Sequence, residues 1–84
     1  MEEVFYVYII YSESRDVYYK GMTRNPEKRL QEHNENTSRY TSGRGPWEYV
    51  YIQKYLTKRE ALIEENRLKK LNRRSLERLI HGKK

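Results

Sequence analysis

The sequence predicts an α+β domain, a three-stranded antiparallel sheet flanked by helices in the order β-β-α-β-α-α. Three observations carry this. Runs rich in Tyr, Val and Ile, the composition that strands favour, occupy Phe5–Tyr11, Val17–Met22 and Trp47–Tyr55. The first two are separated only by Ser12-Glu13-Ser14-Arg15-Asp16, a short polar spacer suited to a hairpin. Helix-start signals follow the second run and again the third, at Asn25-Pro26 and at Thr57 to Glu60.

In the first run Phe5, Val7 and Ile9 alternate with Tyr6, Tyr8 and Ile10, so both faces are apolar or aromatic, as in a central strand covered on two sides. The second run ends at Gly21, where another group can approach the backbone closely. Asn25 is a good N-cap and Pro26 suits the first helical position, which places the first helix over Pro26–Asn34. Only Leu30 is clearly apolar there, so this helix is expected to lie across one edge of the sheet. The loop from Glu35 to Pro46, with Arg39, Tyr40 and Arg44, has too little apolar content to order itself and is expected to be the most mobile part of the chain. Thr57 and Glu60 match a capping box that opens the second helix. A break is expected over Asn72–Ser75, and Leu76, Leu79 and Ile80 form the apolar side of a short last helix ended by Gly82.

Eighty-four residues allow one domain with a thin core. Nine of its eleven aromatic residues are Tyr, which can fill such a core while keeping a hydroxyl hydrogen-bonded. Without cysteine there is neither a disulfide framework nor a thiolate metal site. No apolar run is long enough for a signal peptide or a membrane span, so a cytoplasmic protein without membrane contact is expected. The net charge of +6 is unevenly placed: residues 1–56 hold eight Lys/Arg against eight Asp/Glu, and residues 57–84 hold ten against four. Such a local basic surface either attracts polyphosphate or is a solvated helical face. The mean hydropathy of −1.18 argues against a scaffold that docks through a large apolar patch.

One side chain stands out on the second helix. Ala61, Leu62, Leu68 and Leu71 fall in one arc that is expected to pack on the sheet, and Glu65 lies inside it. A carboxylate aimed at a core needs a cation, a metal or hydrogen-bond donors. Glu64 lies near the other edge of the arc, so the wheel alone does not choose between them, and Glu65 could equally reach out to Lys69 or solvent. On the first helix Arg29 and His33 share a face at a spacing of four, where they could also be ordinary surface groups beside Glu32.

The ordered set resembles the GIY-YIG nuclease domain over about Phe5 to Leu71. The family's first tripeptide falls on Tyr6-Val7-Tyr8 and its second on Tyr19-Lys20-Gly21, followed by Arg29-x-x-x-His33 and a later helical glutamate. Tyr6 stands where the family has its first glycine, and Lys20 where it has isoleucine. The resemblance implies a single small domain hydrolysing DNA phosphodiester bonds with one Mg²⁺ or Mn²⁺. It points to Glu65 rather than Glu64 as metal ligand. Tyr8 and Tyr19, otherwise readable as core aromatics, become candidates to orient or deprotonate water, and Arg29 to clamp a phosphate. His33 is read as a proton or hydrogen-bond partner, since a metal-ligand role would want further His or carboxylate partners. Lys20, by alternation, points away from Tyr19. The basic end, with Lys69, Lys70, Arg73 and Arg74, is expected to line the substrate surface, together with Arg39 and Arg44 of the loop. The alternative is a nucleic-acid-binding module of the same fold with little catalysis. A separate protein partner could supply targeting.

Overall fold

The computed structural model describes residues 4–35 and 43–82. Its elements are β1 (Phe5–Ser12), β2 (Val17–Thr23), α1 (Pro26–Asn34), β3 (Glu48–Tyr55), α2 (Lys58–Lys69) and α3 (Arg73–His81). The expected α+β order is observed. β1 lies in the middle of an antiparallel sheet of order β2-β1-β3. In register, Tyr8 lies between Gly21 of β2 and Ile52 of β3, and Ile10 between Tyr19 and Tyr49. Pairing with β3 shifts between Ile9 and Ile10, which face Tyr51 and Tyr49 and leave Val50 as an extra residue.

The hairpin closes through Asp16, whose φ of 56° is a left-handed conformation that Asp tolerates and whose amide donates to Ser12 O at 2.7 Å. The helix starts are capped by side chains. Asn25 Oδ1 accepts from the Lys28 amide at 3.1 Å, Thr57 Oγ1 from Glu60 at 3.1 Å, and Asn72 Oδ1 from Ser75 at 2.8 Å. The break before α3 therefore falls at Lys70–Asn72, earlier than expected, because Asn72 acts as a cap. At the end of α3 the Gly82 amide donates to Arg78 O at 2.9 Å.

Alternation along β1 splits the interior in two. Phe5, Val7 and Ile9 face Ala61 and Leu68 of α2, Leu76 of α3 and Tyr51 of β3. Tyr8 and Ile10 face the other way and cluster with Trp47, Leu30 of α1, and Val17, Tyr19 and Tyr49 of the sheet. α1 thus lies over this second face rather than at an edge; burial of His33 and packing of Leu30 hold it there despite its polar sequence. Asn34 fixes its far end by bracketing Trp47: its Oδ1 accepts from the Trp47 amide at 2.5 Å and its Nδ2 donates to Trp47 O at 3.1 Å. The expected apolar arc of α2 is narrower than drawn. Ala61 and Leu68 are fully buried and Leu71 is half-buried, but Leu62 remains 39 % exposed because the sheet is only three strands wide.

Candidate active site

The chemistry-bearing side chains of β1, β2 and α1 meet on the second face. Tyr8, 1 % exposed, projects from the central strand and shares a hydrogen bond of 2.9 Å between its hydroxyl and Nε2 of the fully buried His33. Arg29, one turn earlier on α1, directs Nε at the same hydroxyl from 3.4 Å and pairs its Nη1 with Glu32 at 2.9 Å. The Tyr19 ring meets His33 edge-on with centroids 5.3 Å apart. Tyr8, Tyr19, Arg29 and His33 are therefore one group. It differs from a shallow open cleft: Tyr8 and His33 are interred, and only Tyr19 and Arg29 are half-exposed.

Gly21 makes room for this group. A Cβ there would lie 2.6 Å from the Tyr8 hydroxyl oxygen and 2.7 Å from Cζ, so any other residue displaces the phenol. Tyr49, which the sequence reading passed over, packs edge-on against Tyr8 at 5.4 Å and donates from its hydroxyl to Pro26 O at 2.6 Å. That bond ties the start of α1 to β3. Only the aromatic strand pattern signals Tyr49 in the sequence, and that pattern does not separate a brace from filler.

Burial decides the protonation states. It lowers His33 to about 4, helped by the neighbouring Arg29 charge and opposed by Glu32, so the imidazole is uncharged at neutral pH. Burial raises the Tyr8 phenol above its ordinary value against the lowering effect of Arg29, with Tyr19 and Glu65 adding to the rise. Tyr49 is pushed up to about 12, again mainly by burial. At neutral pH Tyr8 is therefore a phenol bonded to a neutral imidazole.

Glu65 comes from the other layer. Its side chain is 14 % exposed and pairs with Lys69 Nζ at 3.1 Å, one of the two outcomes open from the sequence. Its negative charge nevertheless acts on the Tyr8 phenol. Glu64 is engaged differently, accepting from Arg67 Nε at 2.8 Å and Nη2 at 2.6 Å, and its charge bears on Tyr51 and Tyr55 instead. The two adjacent glutamates thus serve different neighbourhoods. Among the described residues no cluster of three or more His, Cys, Asp or Glu could hold a metal ion. A cation at Glu65 would need water and phosphate for most of its shell, which suits hard Mg²⁺ or Mn²⁺.

The expected basic surface divides. Lys69 stands beside Glu65, and Lys70 and Arg74 are exposed. Arg73 is diverted: its Nη2 pairs with Asp16 Oδ1 at 2.5 Å, its Nη1 donates to Asp16 O at 3.1 Å, and its Nε bonds Glu77 at 3.1 Å. It also lies 5.2 Å over the Tyr18 ring, so it clasps α3 to the hairpin. Lys20 points away from Tyr19 as alternation requires, and with Asp16, Arg73 and Leu76 lines a cleft of about 260 Å³ on the opposite face. Arg44 is exposed, and its carbonyl accepts from Ser12 Oγ at 2.5 Å; Arg39 and Tyr40 lie outside the described residues.

No helix among the described residues is long and apolar enough to cross a membrane. The chain is similar to the UPF0213 protein OB0043 of Oceanobacillus iheyensis, 45% identical over 74 residues that cover 87% of this chain and 85% of that one. It is also similar to the UPF0213 protein CPE1444 of Clostridium perfringens, 42% identical over 93% of this chain and 84% of the other. The solution NMR structure of the UPF0213 protein BH0048 from Bacillus halodurans matches with a TM-score of 0.63 and 33% identity, covering 95% of this chain and 85% of that one. The model of the GIY-YIG catalytic domain matches residues 4–78, which takes in all three strands, α1, α2 and most of α3. With tyrosines, arginine, histidine and glutamate in the family's order on a sheet of this topology, the chain belongs to the GIY-YIG catalytic domain family.

Proposed function

We propose that this protein is an endonuclease that hydrolyses DNA phosphodiester bonds with one divalent cation held at Glu65. The observation that carries the reading is the buried Tyr8–His33 hydrogen bond with Arg29 directed at the same phenol oxygen. A core needs no such group; an apolar pair of similar volume would serve stability as well or better.

Mg²⁺ or Mn²⁺ bound by the Glu65 carboxylate would neutralise charge on the phosphate and on the leaving oxygen. The chain's own residues position the water and hold the phosphate. Tyr8 is too weak an acid to stand ionised at neutral pH, and His33, lowered to about 4, is too weak a base to take its proton, so Tyr8 acts by orientation. Bonded to His33 and approached by Arg29, its oxygen positions the attacking water, whose proton passes to solvent as the water attacks phosphorus. The P–O bond to the leaving oxygen breaks, and solvent supplies that oxygen's proton. Arg29 has Nη2 uncommitted among the described residues and is half-exposed, so it can donate to a non-bridging oxygen while Glu32 holds its other arm. Tyr19, packed on His33, orients the imidazole and flanks the entry.

A second reading, a nucleic-acid-binding module, is favoured by one observation: Lys69 already neutralises Glu65. Cleavage of labelled duplex, branched and single-stranded DNA and of RNA, each with Mg²⁺, Mn²⁺ or EDTA, separates the two. The enzyme reading expects metal-dependent cleavage that Glu65→Gln lowers by about two orders of magnitude or more, on the scale of roughly 3–4 kcal/mol for one main charge stabiliser. Glu64→Gln should cut like the parent, because Glu64 is engaged with Arg67. Metal-dependent cleavage that survives Glu65→Gln sinks the metal assignment. Binding without cleavage of any substrate leaves the module.

A further inference from the structure

α1 covers only part of the second face of the sheet. Its Leu30 and His33 lie over Tyr8 and Ile10, towards the hairpin end. Beyond Tyr8, one strand repeat further from the hairpin, comes Tyr6, and in register with the two tyrosines stand Lys54 and Ile52 of β3. Residues two apart on a strand, and residues directly opposite, share a face. Tyr6, Ile52 and Lys54 therefore continue the Tyr8 surface on the side that α1 leaves open.

These three are unusual in what they lack. Tyr6 is half-buried yet belongs to neither apolar cluster, and its hydroxyl makes no hydrogen bond among the described residues. Ile52 is 42 % exposed although it neighbours a fully buried tyrosine. Lys54 is exposed and makes no ion pair among the described residues. By contrast, seven other tyrosines either join a cluster or hydrogen-bond, Tyr11 for instance to Asp16 at 2.7 Å. An aromatic ring, an aliphatic side chain and an ammonium group, unpartnered among the described residues and contiguous with the phenol of the proposed active site, match the chemistry of a nucleotide: a flat apolar base and an anionic phosphate.

We infer that Tyr6, Ile52 and Lys54 seat the nucleotide next to the scissile phosphate, its base unstacked against the Tyr6 ring and its phosphate beside Lys54. The inference rests on the nuclease reading and narrows it: the substrate presents an unpaired base at the site of cleavage, as a single strand, a flap or a frayed end does, because a base held in a duplex stack has no face to offer. Tyr6 is then a substrate-positioning residue, and its presence where the family has glycine acquires a physical reason.

The test is binding without divalent metal, so that no cleavage intervenes. The probes are a fluorescein-labelled mixed-sequence DNA strand and the same sequence as a blunt duplex. Tyr6→Ala should weaken single-strand binding about tenfold, the scale of one base–aromatic stack, and leave duplex binding within about twofold. Tyr6→Phe should bind like the parent, since the ring and not the hydroxyl is used. Lys54→Gln should flatten the log–log salt dependence for the single strand by about 0.7. The ring protons of Tyr6, assigned by comparison with Tyr6→Phe, should shift upfield when the strand is added. Should Tyr6→Ala fail to fold, these ring shifts and the Lys54→Gln slope decide. An unmoved Tyr6 ring, or equal losses for strand and duplex, overturns the inference and leaves the nuclease reading standing. No binding of either probe by the parent at low salt overturns both.

Discussion

The two faces of β1 use the same strand for opposite purposes. On one, Val7 and Ile9 meet Leu68, Leu76 and Ala61, a mainly aliphatic cluster. On the other, Tyr8 and Ile10 meet a buried imidazole, a tryptophan and the edge of a second tyrosine, and no buried side-chain nitrogen or oxygen lacks a partner among the described residues. The first face removes aliphatic surface from water and needs no particular geometry. The second needs each hydrogen bond in place, since an orphaned buried polar atom costs about 1–3 kcal/mol. Strand alternation is what lets eighty-four residues do both: adjacent positions separate the groups that stabilise the fold from those that fix the candidate chemistry.

The largest effect should fall on the aliphatic face. Leu68 is fully buried between α2 and the sheet, and Leu68→Ala removes its burial and leaves a cavity. A loss of about 2–5 kcal/mol is expected in urea or thermal unfolding, enough to threaten a domain of this size. Molecules that remain folded should keep the parent's activity per folded chain. A loss of activity well beyond the unfolded fraction would show that the two faces are not separable.

Tyr8→Phe makes the reciprocal test. It keeps the ring against Tyr49 and removes only the hydroxyl shared by His33 and Arg29. Stability should fall by about 1 kcal/mol, whereas cleavage should fall about a hundredfold or more if Tyr8 orients the attacking water. A variant that loses stability but cleaves normally would reduce the tyrosine–histidine pair to a polar core.

Legibility in the sequence follows the same division. Alternation, the polar spacer and the capping residues disclosed the strands, the hairpin and the helix starts, because these depend on local preferences. The central place of β1 followed from its two apolar faces. Placement of α1 did not: its sequence is polar, and what seats it is one buried histidine, one bracketing asparagine and the Tyr49 bond to Pro26, all long-range. For the site, ordered motifs gathered Tyr8, Tyr19, Arg29 and His33, but burial of the pair and its effect on protonation need tertiary packing. The engagement of Arg73 was hidden for the same reason. A charge in a basic run carries no sign of the Asp16 carboxylate that waits 57 residues earlier in the chain.

Titration sharpens the contrast between interior and surface. Burial lowers His33 from 6.5 to about 4, so between those values the unfolded chain takes up a proton that the native protein refuses. Stability attributable to His33 is complete above pH 6.5 and is lost as pH falls towards 4, with a slope approaching about 1.4 kcal/mol per pH unit. Asp16 works in a lower window. Bonds from Tyr11 and Arg73 hold its carboxyl below the usual 3.8, so its contribution is present above that value and disappears only in stronger acid. Urea midpoints measured from pH 8 to pH 4 should therefore decline in the parent. They should decline less in His33→Gln, which starts lower and has no imidazole to charge, while Asp16→Asn should keep the parent's slope over this range.

The smallest effect concerns which cations meet nucleic acid. Arg73 is spent on Asp16, Glu77 and the Tyr18 ring, whereas Lys70 and Arg74 are exposed and Lys69 flanks Glu65. Replacing Lys69, Lys70 and Arg74 together by Gln should weaken duplex binding regardless of sequence and flatten its log–log salt dependence by about 0.9 for each phosphate contact removed. Arg73→Gln should leave that slope where it was and instead loosen α3 from the hairpin, which is seen as a small drop in the unfolding midpoint, because exposed ion pairs stabilise weakly. If Arg73→Gln flattens the salt slope as much as the others do, the clasp opens when substrate binds, and the boundary between the stabilising face and the binding surface lies at Arg73 rather than before it. An unchanged slope in the triple variant would return the basic end to the role of a solvated face and leave Arg29 and Lys54 as the cations through which phosphate is held.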